Sequence, residues 1–448
     1  MKIALLLSGG VDSSTALMRL IAEGHVDITA YYLKIWLEDD TAYMGECPWE
    51  EDIEFARAVC TAAGVSLEIV PLQLEYYDRV VAYALSELKA GRTPSPDIFC
   101  NQRVKFGAFL DHAAQDCSKV ASGHYAQIDW VSDPSPRWGG AGLPPTHPEA
   151  GRGSGHWRLL RAPDPVKDQT YFLSHLSQAQ LSRVLFPIGD LEKNQVRELA
   201  HHYDLANQDR PDSQGICFLG KIRYPDFVRH YLGEQDGPIV EMESGLELGR
   251  HKGFWFHTVG QRTGLQLGNG PWYVSAKDCR HNIVYVSHAV HNAERERRCF
   301  EVAELSWLSG FTPGQRDLAD WDGKLQLKLR HGPQLIDAHL AWLEESGPGE
   351  KGNFANSAPE WRLKVSMEQA DRGLAAGQFA VFYLGQECLG SGKIQELDVC
   401  ELDRLYGRFQ ERVALEAAKR AEIERLRREK LLMRRKYFKP QSASGGAS

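Results

Sequence analysis

The sequence predicts an α/β protein: a doubly wound parallel sheet at the N-terminus, then two small β-rich units, the last a β-barrel, and a basic helix at the C-terminus. Three observations carry this. Up to about residue 203, apolar runs of strand length alternate with helical patterns, which is how a parallel sheet covered by helices reads. Beyond about residue 208 the pattern becomes short strands separated by Gly-rich turns, as in small barrels. From residue 402 to 436 runs one charged helical stretch with apolar positions at Leu402, Leu405, Phe409, Val413, Ile423 and Leu426.

Taken in order, residues 3–7 form a buried strand, 13–22 a helix ending near Gly24, 28–35 a second strand and 50–63 a helix closed by Gly64. Residues 67–72 form a third strand, 76–90 a helix before Gly91, and 119–122 a further short strand. Between residues 133 and 155, Pro and Gly crowd a segment with little apolar pattern, which reads as a surface insertion. A strand at 157–161 resumes order, and helices at 177–185 and 193–203 finish the first domain. The β-rich units are expected to hold strands at 255–259, 272–275 and 283–286, then at 325–330, 361–365 and 379–383. A second loop insertion falls near 345–359, and a flexible tail from 441. The implied domains are 1–207, with its insertion at about 131–156, then 208–297, 298–400 and 401–448.

Composition narrows the function classes. A chain of 448 residues exceeds what one core usually organises. Its 43% hydrophobic and 25% charged residues are those of a soluble globular protein. No run of about 18 apolar residues occurs, so no membrane-spanning helix and no membrane partner is expected. Nine cysteines, with no Cys-x-x-Cys pair, make neither a disulfide scaffold nor a zinc site and favour a reducing compartment. A net charge of −8 argues against a nonspecific nucleic-acid binder but leaves room for a local basic surface. Residues 401–448 supply one, with 13 Lys/Arg against 7 Asp/Glu.

The string Ser8-Gly9-Gly10-Val11-Asp12-Ser13-Ser14 lies between a strand, ending in Leu6 and Leu7, and a helix. Two glycines let the backbone approach a polyanion, the three serines add hydroxyl donors, and the following helix directs its positive end at the charge. Asp12 suits a Mg²⁺ bridging the phosphates. With no Gly-Lys-Ser/Thr this is not a Walker loop; it resembles the pyrophosphate loop (PP-loop) of the ATP pyrophosphatases, adenine nucleotide α-hydrolase-like domains that split ATP into AMP and pyrophosphate.

Two cysteines stand out. Cys100 follows Thr93-Pro94-Ser95-Pro96-Asp97, where two prolines hold the approach extended and Asp97 lies one helical turn before the thiol. Arg103 and Lys105 bring positive charge that favours a thiolate. Cys217, in Asp212-Ser213-Gln214-Gly215-Ile216-Cys217-Phe218-Leu219, reads on its own equally well as a buried core thiol. Its weight comes from the pairing: sulfur transfer needs one thiol to carry a persulfide and another to break the S–S bond.

Six strings together resemble the tRNA-specific 2-thiouridylases (the MnmA/TrmU family), over nearly the whole chain to about residue 398. They are the loop at 8–14; Pro96-Asp97-Ile98-Phe99-Cys100-Asn101 with Val104-Lys105-Phe106; Ser122-Gly123-His124-Tyr125-Ala126; Lys167-Asp168-Gln169-Thr170-Tyr171-Phe172-Leu173; the Cys217 motif; and Gly249-Arg250-His251-Lys252-Gly253 running into Thr258-Val259-Gly260-Gln261-Arg262-Thr263-Gly264-Leu265. Tyr31-Tyr32-Leu33-Lys34-Ile35-Trp36 with Cys47-Pro48-Trp49-Glu50-Glu51-Asp52 looks most like the plant and algal plastid branch.

The resemblance implies adenylation of the 2-oxygen of a wobble uridine by ATP with Mg²⁺, and its replacement by sulfur. Cys217 would receive sulfur as a persulfide from a cysteine desulfurase or a sulfur-relay protein, and Cys100 would attack that persulfide. Asp97 would act as acid/base and touch the base with Ser95 and Pro96; Ser95 stands where the family usually has Asn. The 8–14 loop with Leu6, Leu7, Leu33 and Gly123 would hold ATP. His124, Lys167, Asp168, Gln169, Arg330, His331 and Gln378 match tRNA-contact positions, His331 in place of a usual Tyr. The tRNAs implied are those for lysine, glutamate and glutamine, and the compartment is the cytoplasm of a bacterium or an organelle, the transit segment then being absent from this chain.

Three alternatives remain at the level of sequence. Another ligase of the PP-loop class would use an amine and need no thiol pair. An RNA-binding module would keep the loop without turnover. An iron–sulfur cluster on Cys100, Cys217 and Asp97 would replace persulfide chemistry. The C-terminal basic stretch, with Arg425, Arg427, Arg428, Lys430, Arg434, Arg435 and Lys436, reads equally as a tRNA-phosphate contact and as a solvated helix.

Overall fold

The computed structural model describes residues 1–35, 49–132, 155–212, 223–288, 297–343, 361–371, 373–395 and 399–437. Cys217 with most of its motif, Trp36, Cys47, both expected insertions and the tail lie outside them. The chain divides into two compact units, residues 1–234 with 293–396, and 235–292 with 397–448.

In the first unit, strands β1 (Ile3–Leu6), β2 (Ile28–Lys34), β3 (Ser66–Pro71) and β4 (Lys119–Ser122) build the expected parallel sheet. The hairpin β5 (Ala126–Ser132) and β6 (Gly155–Arg161) follows, and β7 (Val184–Leu185) returns to the sheet. The sheet order is β3-β2-β1-β4-β7. All four residues of β1 are buried, as a continuous apolar run at the centre of a parallel sheet must be. Helices Val11–Ala22, Trp49–Ala63 and Lys193–His202 close one face, where Leu17, Val59 and Val196 share a core with Ile3, Leu5 and Ala30. Tyr31 turns to the other face and meets Phe109 edge to face, with ring centroids 5.1 Å apart.

The second unit holds β8 (Gly237–Glu241), β9 (Glu247–His251), β10 (Trp272–Asp278) and β11 (Ile283–His288) in the order β10-β11-β8-β9, together with the helix Val399–Tyr437. Leu405 and Phe409 of that helix are buried against Val240, Met242, Ala276, Ile283 and Tyr285.

Back in the first unit, β12 (Arg297–Trp307), β13 (Leu325–Lys328), β14 (Ile336–Trp342), β15 (Leu363–Asp371), β16 (Phe379–Leu384) and β17 (Glu387–Ile394) pair in the order β12-β15-β14-β13-β16-β17. A further β12–β17 pairing closes them into an antiparallel barrel, filled by Leu327, Val365, Phe382 and Trp321 among others.

Two sequence expectations are corrected and two are refined. The strand expected at 157–161 is present as half of the β5–β6 hairpin, which joins the barrel's sheet at β17. The helix expected over 177–185 is one turn, Gln178–Leu181, opened by a Ser177/Gln180 capping box and ended where Val184 and Leu185 are drawn into the sheet beside β4. The strand expected at 255–259 is a 3₁₀ turn, Phe254–Phe256, because Gly253 at φ +143° folds the chain onto the Trp255 ring. The helix over 76–90 runs as Gln73–Tyr76, a π turn Tyr77–Val81 and Ala82–Lys89.

Candidate functional site

The chain leaves β1 to build β2 and β3 on one side, then crosses back to β4 on the other. Such a reversal opens a crevice at the carboxyl ends of the central strands, where open α/β sheets bind ligands. A cavity of about 320 Å³ occupies this place. Its walls include Leu6, Leu7, Ser8, Asp12 and Ser13 from the loop after β1, Leu33 and Ile35 from the end of β2, Gly123 and His124 after β4, and Cys100, Lys105, Asp52 and Gln169.

The loop is shaped by close backbone contacts. Gly9 adopts φ +75°, and a Cβ on it would lie 2.3 Å from the Asp52 carbonyl oxygen, so no other residue fits. A Cβ on Gly123 would lie 2.7 Å from the Ser13 amide nitrogen. Gly123 thus lets the turn after β4 rest on the first turn of Val11–Ala22. That helix starts at Gly10 without a side-chain cap, which leaves its first-turn amides as an anion cradle. The Ser13 and Ser14 hydroxyls donate to the Gly10 carbonyl at 3.1 and 3.0 Å. Val11 is buried in the core beneath.

Residues that sequence reasoning missed support this loop from behind. Asn207, buried, donates to the Gly9 carbonyl at 2.8 Å and to the Ser14 hydroxyl at 2.9 Å. Arg210 donates to the Gly9 carbonyl at 3.1 Å and pairs with Asp52 at 2.5 Å. Lys193 bridges Asp12 at 2.7 Å and Asp212 at 2.8 Å, and Asp212 also takes Lys167 at 2.6 Å and Arg197 at 2.7 Å. Burial alone would raise the Asp212 carboxyl, but hydrogen bonds from Lys167 and Lys193 outweigh it and hold the group at about 2. Lys193 opens its helix, where a cation opposes the helix dipole. That misplacement was the available signal that a carboxylate cluster holds it.

Asp12 takes both Lys193 and the Tyr125 hydroxyl, at 2.8 Å, on one carboxylate oxygen. It lines the cavity beside the Ser8 and Ser13 side of the loop. Among the described residues, no group of three or more His, Cys, Asp or Glu is placed to hold a metal ion by itself.

Cys100 reaches the cavity on an unusual helix. Pro96 opens a single turn, Pro96–Phe99, and the chain then widens to a π-helix over Cys100–Ala108, a form often found at functional sites. The thiol residue is 1% exposed. Of the two cations expected near it, Lys105 lines the cavity. The other, Arg103, has its guanidinium 3.8 Å over the Phe99 ring and donates to the Arg79 carbonyl. Asp97, half-buried, sits in the turn before Cys100.

The expected tRNA contacts separate into two groups. Beside the cavity, His124 is buried with Nδ1 2.8 Å from the Ser122 hydroxyl, and burial drives its pKa far below the usual histidine value. Gln169 accepts from the Tyr125 amide at 2.9 Å. Around Tyr171, the Ser95–Asp97 turn meets the barrel. The Tyr171 hydroxyl donates to the Phe379 carbonyl at 3.1 Å, and its ionisation, raised chiefly by burial, also responds to Arg330, Ser95 and Asp97. His331 stacks on Phe172 at 4.9 Å, Arg330 pairs with Asp371, and Gln378 caps the edge of β17 by accepting from the Ile394 amide. The Thr93 amide donates to the Ala376 carbonyl at 2.7 Å, which ties the two loops together.

The Asp168 side chain is wholly buried and takes Lys328, equally buried, at 2.6 Å and Arg161 at 3.3 Å, which joins the barrel to the α/β domain. Lys167, beside it, is partly exposed.

Comparison with known proteins follows this division. Residues 1–221 match a family described as tRNA methyl transferase HUP domain, 225–288 a tRNA methyl transferase PRC-barrel domain, and 352–394 an aminomethyltransferase beta-barrel domain. A tRNA-specific 2-thiouridylase MnmA 2 of Bacteroides fragilis is 40% identical over 396 residues, 88% of this chain and 100% of that protein. A tRNA-specific 2-thiouridylase MnmA of Parabacteroides distasonis is 38% identical, over 88% and 99% of the two chains. The U34-tRNA thiolase NcsA of Methanococcus maripaludis, a solved structure, is 15% identical with a TM-score of 0.28 over 52% of this chain and 67% of its own, too slight a likeness to build on. At such identity over whole relatives, the chain belongs to the tRNA-specific 2-thiouridylase family.

Proposed function

We propose that this protein is a tRNA-uridine 2-sulfurtransferase: it adenylates the 2-oxygen of the wobble uridine with ATP and replaces it with sulfur. The observation that carries this is the single cavity in which the 8–14 loop and Cys100 share walls. Activation and sulfur delivery act on the same carbon, so the cradle for ATP and a thiol must open into one space.

In this reading the uridine 2-oxygen attacks the α-phosphorus of ATP and pyrophosphate leaves into the cradle of loop amides and hydroxyls. Asp12 would hold Mg²⁺ on the phosphates, and Leu33 and Gly123 would border the adenosine. Cys217 carries sulfur as a persulfide received from a desulfurase or relay protein. The Cys100 thiolate attacks the Cys217 sulfur, a Cys100–Cys217 disulfide forms, and the hydrosulfide released adds to C2 and expels AMP. Asp97 moves the protons. A wobble base must leave its stack to enter, at about a few kcal/mol. Lys167, Gln169, Arg330, His331 and Gln378 would offset that cost by contacts to the anticodon arm. Specificity for the lysine, glutamate and glutamine tRNAs extends the same reading from the family, and membership of the plastid-type branch extends it from the motifs at 31–36 and 47–52; the compartment is then an organelle, or the cytoplasm if the chain is bacterial.

The matched domain descriptions speak of methyl transfer. A phosphate cradle beside a buried thiol supports thiolation instead, since methyl transfer splits no pyrophosphate. The test is nucleoside mass spectrometry on tRNA incubated with the protein, ATP, Mg²⁺ and a persulfide-generating desulfurase. Expected are 2-thiouridine at the wobble position and one AMP per base, with 2-thiouridine lost in Cys100→Ser and Cys217→Ser while adenylation persists. A methylated base, or thiolation that survives both substitutions, overturns the proposal. An air-free preparation active without iron separates persulfide from cluster chemistry.

A further inference from the structure

The third matched domain ends at residue 394, before the helix Val399–Tyr437 begins. This helix has 39 residues, or about 58 Å at 1.5 Å per residue. Its first turns are anchored to the second unit. Leu402, Leu405 and Phe409 pack into the core of that unit, Tyr406 stacks on His281 at 3.6 Å, Arg280 pairs with Asp403 at 2.7 Å, and Arg408 donates to the Met242 carbonyl at 2.6 Å. Beyond Arg412 the side chains, Glu416 excepted, are exposed as far as Met433.

The charges on the exposed part are sorted by face. At 3.6 residues per turn, Arg412, Lys419, Arg420, Arg427 and Lys430 fall within about 100° of one another. They continue the same face that carries Leu402, Leu405 and Phe409 at the anchored end. Glu416 is the one acid in this stripe, and Arg412 pairs with it at 3.4 Å. Glu411, Glu422 and Glu429 lie more than about 100° round from the centre of the stripe and Glu424 about 90°, and Arg425 pairs with Glu422 at 2.7 Å and Glu429 at 3.9 Å. Lys419, Arg420, Arg427 and Lys430 make no ion pair among the described residues. At its base the stripe borders an open groove of about 570 Å³, which Arg412 and Arg420 line together with the β8–β9 turn from Gly245 to Gly249.

We propose that this stripe is a binding surface for the sugar–phosphate backbone of RNA, engaging the tRNA substrate through its phosphates. The proposal rests on the reading of tRNA as substrate. A solvated helix has no need to segregate its charges: acids and bases alternating around it would gain more from i, i+4 pairing. A helical protein partner would need apolar residues at alternating three- and four-residue spacing. From residue 415 to 432, large apolar residues occur only at 415, 423, 426, 431 and 432. Unpaired cations spaced along one face, on a chain of net charge −8, fit a polyanion with a regular charge spacing.

The test is binding of a tRNA transcript with uridine at the wobble position to the full-length chain, measured by fluorescence anisotropy from 50 to 300 mM salt. Arg420→Gln/Arg427→Gln/Lys430→Gln is compared with Arg425→Gln/Arg428→Gln, which removes charge from other faces; Gln keeps the helix propensity. Loss of three phosphate contacts lowers the slope of log K against log salt by about 2–3 and weakens binding about tenfold or more at low salt. The control is expected to change the slope by less than about 1. In thiolation assays the triple variant raises KM for tRNA and leaves kcat at saturation. If the triple variant and the control match each other or wild type in slope, the proposal is overturned, the substrate reading stands, and the surface belongs to a protein or lipid partner. A wild-type chain that binds no tRNA overturns both.

Discussion

The nucleotide cavity and the C-terminal helix use opposite means to meet a polyanion. In the cavity, backbone does the work. Glycines at 9 and 123 allow approaches that a single methyl group would forbid, and side chains such as Asn207 and Arg210 stiffen the loop from behind. Along the helix, long flexible cations stand in solvent on a regular spacing. The first arrangement reads the geometry of one small ligand, and each part of it is indispensable. The second reads charge density, and its members are individually dispensable. Tolerance to substitution should therefore fall steeply from the helix to the cavity.

Four substitutions sharpen this contrast, taken from the largest effect to the smallest. Lys328→Met leaves the wholly buried Asp168 with the Thr170 hydrogen bonds and the more distant Arg161. It is expected to cost about 3–5 kcal/mol, read as a shift in the denaturant midpoint. An unchanged midpoint would mean that the α/β domain and barrel are held together elsewhere. Gly123→Ala drives a methyl group into the first turn of Val11–Ala22 and is expected to cost about 1–3 kcal/mol. It should also raise KM for ATP by more than tenfold, whereas Gly407→Ala, where a Cβ meets nothing within 4 Å, should leave ATP kinetics alone.

The third prediction concerns pH. Asp212 has a folded pKa of about 2, below its ordinary value near 4 in an unfolded chain. A depressed carboxylate contributes stability that is present above the unfolded value and lost as pH falls through the folded one. Wild type should therefore lose this contribution between about pH 4 and 2, while Asp212→Asn lacks it throughout and shows a flatter acid limb in thermal melts. Parallel limbs would show that Lys167, Lys193 and Arg197 do not depend on Asp212. Last, Arg425→Gln removes only exposed i, i+3 and i, i+4 pairs and should change helix stability by less than about 0.5 kcal/mol, read from far-UV melting.

The parallel sheet was legible because β1 and β2 are central strands, and burial on both faces writes itself as an unbroken apolar run. The edge strand β3 was read as well, at 67–72 against Ser66–Pro71, but β7 was not, because two residues are too short to show a period. The barrel was recognisable as short strands and turns, yet β12, β14 and β17 escaped detection. β17, with Gly390 and Gly392 against Ser306 and Val302 of β12, lacks the branched side chains that usually mark a strand.

Within the site, the residues found early were those whose type announces chemistry at a fixed spacing: the loop at 8–14, Cys100 with Asp97, and Gly123 with His124. Those missed act through partners distant in the chain. Lys193 is 181 residues from Asp12 and Asn207 is 198 from Gly9, and no local pattern links such pairs. Asp168 shows the converse, a motif residue between two others of the expected surface whose side chain turns inward to Lys328.

By itself, then, the sequence determined the pyrophosphate-loop domain, the β-rich units after it and the residue types that carry the chemistry, because these depend on local periodicity and on side-chain reactivity. The tertiary structure alone decided that Cys100 and the loop share one cavity, that Lys193 joins Asp12 to Asp212, and that the β5–β6 hairpin belongs to the barrel. These are relations between residues far apart in the chain, and only the packing of the folded chain sets them.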